Sequence, residues 1–265
     1  MEDPRPLLQA VAVATVILAL QPLAPACAYT ETVLHNFSHG DGYYAQGNLI
    51  MDQNGNLFGT TVYGDLACGK NSGCGTVFRL APDGTYTVLH AFSKPDGIFP
   101  YGGLVEDQSG NLYGTTSLYG KLGRRCCGTI FEVTQQGVYT VLHRFAGGVD
   151  GEYPYAGLIA DQQGNLYGTT TLGGPSGYGT VFELSQGGVY SVLFSFSGGA
   201  KGGYVSASLV EDPAGNLYGP RSKAARRVAT ATLGVEPYSS SHLTAPRRCC
   251  TPFGAETMDA GQEGV

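Results

Sequence analysis

The chain has 265 residues and a formal net charge of −6, with 41 glycines, 17 tyrosines, no tryptophan and only 14% charged residues. Ordinary chains carry about 7% glycine and about 25% charge, so this composition suits short strands and tight turns better than helices. Residues 29–219 hold 15 acids against 8 bases, which argues against nucleic acid as a partner because phosphate binding needs a basic surface.

Residues 1–28 read as an export signal. Arg5 precedes an apolar run from Leu7 to Leu20 that is short for a membrane span. Ala26-Cys27-Ala28 then fits small-x-small cleavage, so the mature chain is expected to begin at Tyr29. Lipidation of Cys27 is the alternative, although Ala24 stands where a lipoprotein signal usually has leucine. No further span is expected after cleavage, and the expected location is secreted or cell surface.

Three markers then recur in fixed order. Val33-Leu34-His35 returns as Val88-Leu89-His90, Val141-Leu142-His143 and Val192-Leu193-Phe194. Asp-x-x-Gly-Asn-Leu-(Tyr/Phe)-Gly begins at Asp52, Asp107, Asp161 and Asp212. Gly-Thr-(Val/Ile)-Phe begins at Gly75, Gly128 and Gly179 and has no fourth copy. The repeat units are drawn at about 31–85, 86–138, 139–189 and 190–219, three complete and one partial.

The second unit predicts strands over Tyr86–Phe92, Gly103–Asp107, Asn111–Thr116 and Thr129–Val133. Gln108-Ser109-Gly110 is a hairpin connection, and Asp41-Gly42, Asp96-Gly97 and Asp150-Gly151 are turn chemistry. In Thr129–Val133 the residues Thr129, Phe131 and Val133 share one face and Ile130 takes the other, as in a sheet covered on both sides. Four antiparallel strands per unit of this length predict an all-β, β-propeller-like repeat of four-stranded blades, incomplete in this chain. A β-solenoid is the alternative, with coils that are usually shorter.

Asp-x-x-Gly-Asn-Leu-Tyr-Gly-Thr-Thr, Gly-Thr-Val-Phe and Thr-Val-Leu-His-x-Phe together resemble the GloVer-type tandem repeat of exported bacterial proteins with varied C-terminal anchors. The resemblance spans residues 31–219. It implies a secreted or cell-surface propeller-like protein and supplies no catalytic residues. Residues 220–265 carry no recognisable anchor.

The repeat breaks after Gly219, where Pro220-Arg221-Ser222-Lys223 replaces Thr-Thr and 6 of the 15 basic residues follow. Reading back by one base is compatible with a restored Gly-Thr-Val-Phe and Thr-Val-Leu-His. Every codon choice for Cys249-Cys250 gives Leu at the junction, and Cys250-Thr251 gives His or Tyr. The expectation is a frameshifted, disordered tail over 220–265, with a genuine basic tail as the alternative; the gene's nucleotide sequence decides between them.

The recurring polar residues have structural and chemical readings. His35, His90 and His143 could ring a metal, but Phe194 shares their position and a flat ring in a packing slot accounts for all four. Asp52, Asp107, Asp161 and Asp212 could be calcium ligands or acid/base pairs, yet each begins a hairpin where aspartate bonds the turn backbone. No metal, cofactor or catalytic residue is expected. Cys68 and Cys74 flank one loop and suit a disulfide in an oxidising compartment; Cys126 and Cys127 are adjacent and unassigned, as are Cys249 and Cys250.

The copies differ most over Val62–Gly73, Ser117–Cys126 and Thr171–Gly177, so Lys70, Asn71, Arg124 and Arg125 are the weak loop candidates for binding. Gly-x-Ser-x-Gly, a phosphate loop and His-Glu-x-x-His are all absent from the sequence. The expected function is a non-enzymatic binding or display scaffold for an extracellular glycan or protein. A polysaccharide hydrolase or lyase and a non-functional fragment are the alternatives, the former on fold analogy alone. Self-association through an open sheet edge is a further expectation.

Overall fold

The structure, a computed structural model, describes residues 31–38, 40–64, 73–120, 127–199, 202–220 and 230–233. The signal segment, Cys68, Cys126, Cys249, Cys250 and the four loop candidates lie outside these residues. The chain divides between Leu34 and His35, and the fold is that of the second part. Among the described residues no helix is long and apolar enough to cross a membrane.

The first sheet runs β1 (Ile50–Met51), β2 (Leu57–Thr61), β3 (Thr76–Leu80), β4 (Tyr86–Ala91), each strand antiparallel to the next. The second runs β5 (Val105–Glu106), β6 (Leu112–Gly120), β7 (Cys127–Val133), β8 (Tyr139–Arg144). The third runs β9 (Ile159–Ala160), β10 (Leu166–Thr170), β11 (Thr180–Leu184), β12 (Tyr190–Ser195). The fourth holds β13 (Val210–Glu211), β14 (Leu217–Pro220) and β15 (Thr230–Leu233). These are the expected propeller-like blades, three full and one partial.

Two differences from the sequence reading have physical causes. The sheets are offset by one strand from the units as drawn. Tyr86–Ala91 closes the first sheet because a tight turn joins it to β3, with Ala81 N–H bonded to Thr85 O at 2.9 Å and Gly84 N–H to Ala81 O at 2.9 Å. The longer stretch 92–104 is what crosses to the next sheet. The second difference is β15. Its backbone pairs with β14 from Pro220↔Thr230 to Leu217↔Leu233, so four residues of the tail continue the ladder beyond Gly219.

The core lies between sheets. Phe131 and Val133 pack with Phe58 and Val77 of the first sheet, while Ile130, on the other face, packs with Phe145, Leu158 and Phe182. This is the two-faced burial expected of Thr129–Val133. The glycine of Asn-Leu-Tyr-Gly makes the packing possible. Gly168 lies across from Phe182, and a Cβ there would meet Phe182 Cζ at 2.5 Å and Leu158 Cδ2 at 2.8 Å. Gly59 and Gly114 lie across from Phe78 and Phe131 in the same register.

Candidate functional site

Each sheet has two unlike ends. At one end lie the tight hairpins. Asp107 accepts from Ser109 N (2.8 Å), Asn111 N (2.9 Å), Asn111 Nδ2 (3.0 Å) and Tyr113 Oη (2.9 Å). Asp161 and Asp212 make the same set, and Asp52 makes it without the tyrosine, since Phe58 stands there. These carboxylates spend their lone pairs on the turn and leave little for a metal or substrate.

Burial pushes Asp107 up, but the Asn111, Tyr113 and Ser109 donors outweigh it and hold the carboxyl below its ordinary value. Asp212, bonded first by the Asn216 side chain and N–H, is held down at about 2. A lowered folded value means stability that is present above the unfolded value of about 4 and is lost as pH falls through the folded one. Asp107→Asn is therefore expected to flatten part of the acid limb below about pH 4 in a stability–pH profile. An unchanged acid limb would contradict this assignment.

At the opposite end the sheets are latched together. The Asp96-Gly97 turn after β4 reaches into the second sheet. Thr129 Oγ1 donates to Asp96 O at 2.9 Å and Tyr139 Oη donates to the same oxygen at 3.0 Å. Thr116 and Thr129, both buried, share a hydroxyl bond of 2.8 Å. Asp41 with Thr61, Thr76 and Tyr86 repeats the motif, and at Asp150 the tyrosine bond from Tyr190 and the Thr170–Thr180 hydroxyl pair recur.

The histidines belong to this latch. His35, His90 and His143 stack on Tyr86, Tyr139 and Tyr190, with centroids 4.0, 3.9 and 3.8 Å apart and planes within 7°. Their Nε2 atoms lie 3.0, 3.5 and 3.2 Å from Asp41, Asp96 and Asp150. Each stands against a different sheet, and among the described residues no group of three or more His, Cys, Asp or Glu could hold a metal ion.

Burial pulls His90 below its ordinary value against the opposing pull of Asp96, and its Nε2 has no hydrogen-bond partner. The unfolded chain then binds more protons, so His90 weakens the fold as pH drops below about 6.5. His90→Phe, the residue found at Phe194, is expected to change stability by less than about 1.5 kcal/mol at neutral pH and to remove that decline. Chemical denaturation at pH 5 and 8 checks it; a large loss at pH 8 would overturn the packing role.

Beside the latch lies a row of aromatic rings. Two residues beyond each turn glycine the backbone turns left-handed at a non-glycine residue: Tyr44 (φ 64°), Phe99 (60°), Tyr153 (57°) and Tyr204 (55°). Positive φ at aromatic residues is strained and persists only where the surroundings over-determine it. Here the backbone is held from both sides. Phe99 N–H donates to Cys74 O (3.0 Å) and Ser117 N–H to Phe99 O (3.2 Å). Tyr153 N–H donates to Cys127 O (3.1 Å) and Thr171 N–H to Tyr153 O (3.1 Å).

The rings run on from one sheet to the next. Tyr43 and Tyr44 lie 5.3 and 5.7 Å from Tyr63, and Tyr63 lies 5.2 Å from Phe99. Phe99 neighbours Tyr101 (6.4 Å), Tyr101 neighbours Tyr155 (5.2 Å), and Tyr155 lies over Tyr153 (6.2 Å, 10°). Tyr44 is exposed and the others are half-buried. Burial, then the neighbouring phenols of Tyr63, Tyr155 and Tyr44, push Tyr101 up to about 12, so this phenol is neutral at physiological pH.

The variable loops spring from this rim. The bridges Tyr43↔Tyr63, Ile98↔Leu118 and Glu152↔Leu172 tie the entry segment of each sheet to the base of its loop. Sequence reasoning singled out the loops and not the tyrosines. The signal was there, an aromatic two residues after each turn glycine at Tyr44, Phe99, Tyr153 and Tyr204. Cys74 and Cys127, both disulfide-bonded, hold one repeat position just before Gly-Thr, and Tyr178 holds it in the third sheet.

Repeated four-stranded sheets with recurring turn-and-hydroxyl latches define a tandem-repeat protein with propeller-like blades. The pattern of the Gloeobacter/Verrucomicrobia repeat matches residues 20–230, and the chain belongs to that family. No curated protein matches the chain. Among solved structures it is similar to a gluconolactonase from Xanthomonas campestris (17% identity, 65% of this chain and 52% of that one, TM-score 0.43). It is also similar to a xylan β-1,4-xylosidase from Bacillus halodurans (16%, 82% and 49%, TM-score 0.41). The chain thus spans about half the length of these two proteins.

Proposed function

We propose that this repeat protein is an exported, non-enzymatic binding or display module whose ligand-facing surface is the tyrosine rim with its flanking loops, and that its ligands are neutral glycans. The observation that supports the reading is the row of aromatic rings, most of them phenols, at the end where the copies differ. Flat aromatic faces carry apolar contact while their hydroxyls reach hydrogen-bond partners, a combination that suits the C–H faces and hydroxyl edges of sugars. Lys70, Asn71, Arg124 and Arg125 would add specificity from the loops.

A glycan array followed by calorimetry tests the proposal. Tyr101→Ala is expected to weaken binding about tenfold or more, since a lost aromatic platform removes about 0.5–1.5 kcal/mol beyond its buried area and each 1.4 kcal/mol is tenfold. Asp107→Asn, at the other end of the same sheet, should leave affinity unchanged. Turnover on a panel of hydrolase and lyase substrates would overturn the non-enzymatic reading. Retention of the product in the cytoplasm would overturn export.

A further inference from the structure

The three junctions between sheets share their apolar packing positions, so the residue types that each face needs can be compared position by position. Phe92, Phe145 and Phe196 are buried, as are Leu104, Leu158 and Leu209, because the preceding sheet covers them. Their counterparts on the first sheet are Phe37 and Leu49, which are 36% and 53% exposed. Leu49 still lies over its own Gly59, as Leu158 lies over Gly168, so the face is built and uncovered.

The opposite face of the fourth sheet shows the complementary deficit. Ile50, Val105 and Ile159 are half-buried against the following sheet, while Val210, at the same position, is 65% exposed. Repeat arrays ordinarily cap such faces with polar residues, whereas Phe37, Leu49 and Val210 are apolar.

We propose that the open face of the first sheet takes the open face of the fourth sheet of a second copy, giving head-to-tail association through the junction that the chain already makes three times within itself. The contact is heterologous, each copy offering a different surface, so two copies can close or more can continue the row. It buries faces, and is therefore distinct from pairing at a sheet edge. It is also independent of the ligand reading, since neither face includes the tyrosine rim.

Sedimentation velocity over a wide concentration range tests the proposal with Leu49→Asp and Val210→Asp, both at exposed positions, with circular dichroism to verify that each variant is folded. The native chain is expected to associate, and each variant alone to be monomeric. An equimolar mixture of the two variants is expected to regain a one-to-one dimer, because the intact first face of one meets the intact last face of the other. A native chain that is monomeric throughout overturns the proposal. So does Val210→Asp associating like the native chain, which would mean first face on first face. If aspartate unfolds either variant, Leu49→Ser and Val210→Ser replace them with the same expected pattern.

Discussion

Gly97→Ala is expected to unfold at far lower urea than the native chain, with a loss of about 2–5 kcal/mol. Two effects add at this position. The backbone is left-handed (φ 97°), where a Cβ costs about 1–2 kcal/mol. The Cβ would also stand 2.0 Å from Thr116 Oγ1 and 2.9 Å from Thr129 Oγ1, inside the buried hydroxyl pair of the latch. Overpacking of that kind costs about 1–3 kcal/mol. The turn cannot withdraw without breaking both bonds to Asp96 O.

Gly84→Ala separates the two effects. Gly84 is also left-handed (φ 85°), but nothing lies within 4 Å of its Cβ position. It should show the backbone loss alone, about 1–2 kcal/mol. Equal losses at the two positions would mean that the latch is not tightly packed and that the strain account suffices.

The latch also shows what repetition reveals and what it hides. Sequence periodicity marks Asp96-Gly97, Thr116, Thr129, Tyr139 and His90 separately, each as a recurring letter in its own motif. It does not say that all of them meet. They come from the last strand of one sheet, the turn after it and three strands of the next, and only the crossing of 92–104 brings them together. For the same reason the units drawn from the motifs lie one strand out of phase with the sheets. A repeat has no marked beginning, and the strand that closes a sheet is chosen by the length of the connection before it.

The all-β class, the four strands per unit and the two-faced burial of Thr129–Val133 were legible because alternation and turn chemistry are local. The tyrosine rim was not. Tyr44, Phe99 and Tyr153 are ordinary aromatic letters in sequence, and their left-handed backbone follows from hydrogen bonds to segments outside their own motif. The four residues of β15 were missed because Thr230-Ala231-Thr232-Leu233 lacks the Gly-Thr-Val-Phe marker that identifies this strand in the other copies.

Phe92→Ala is expected to lower stability by about 3–5 kcal/mol, the usual loss for a buried phenylalanine, while Phe37→Ala at the same repeat position should lose less than half of that. The chemistry of the two substitutions is identical, so the difference isolates the neighbouring sheet. Phe92 is fully buried between sheets, edge-on to Phe131 at 5.1 Å and to Tyr139 at 5.8 Å. Phe37 keeps the equivalent ring contacts, with Phe78 at 5.3 Å and Tyr86 at 5.9 Å, and lacks only the covering sheet. In a stacked array stability is nearly a sum of unit terms and junction terms, and this pair of variants reads one junction term directly. Urea titration at low protein concentration supplies both numbers. Equal losses would mean that burial within each sheet, and not stacking between sheets, holds the array. If the Phe37→Ala loss grows with protein concentration while the Phe92→Ala loss does not, the missing cover is being supplied by another copy.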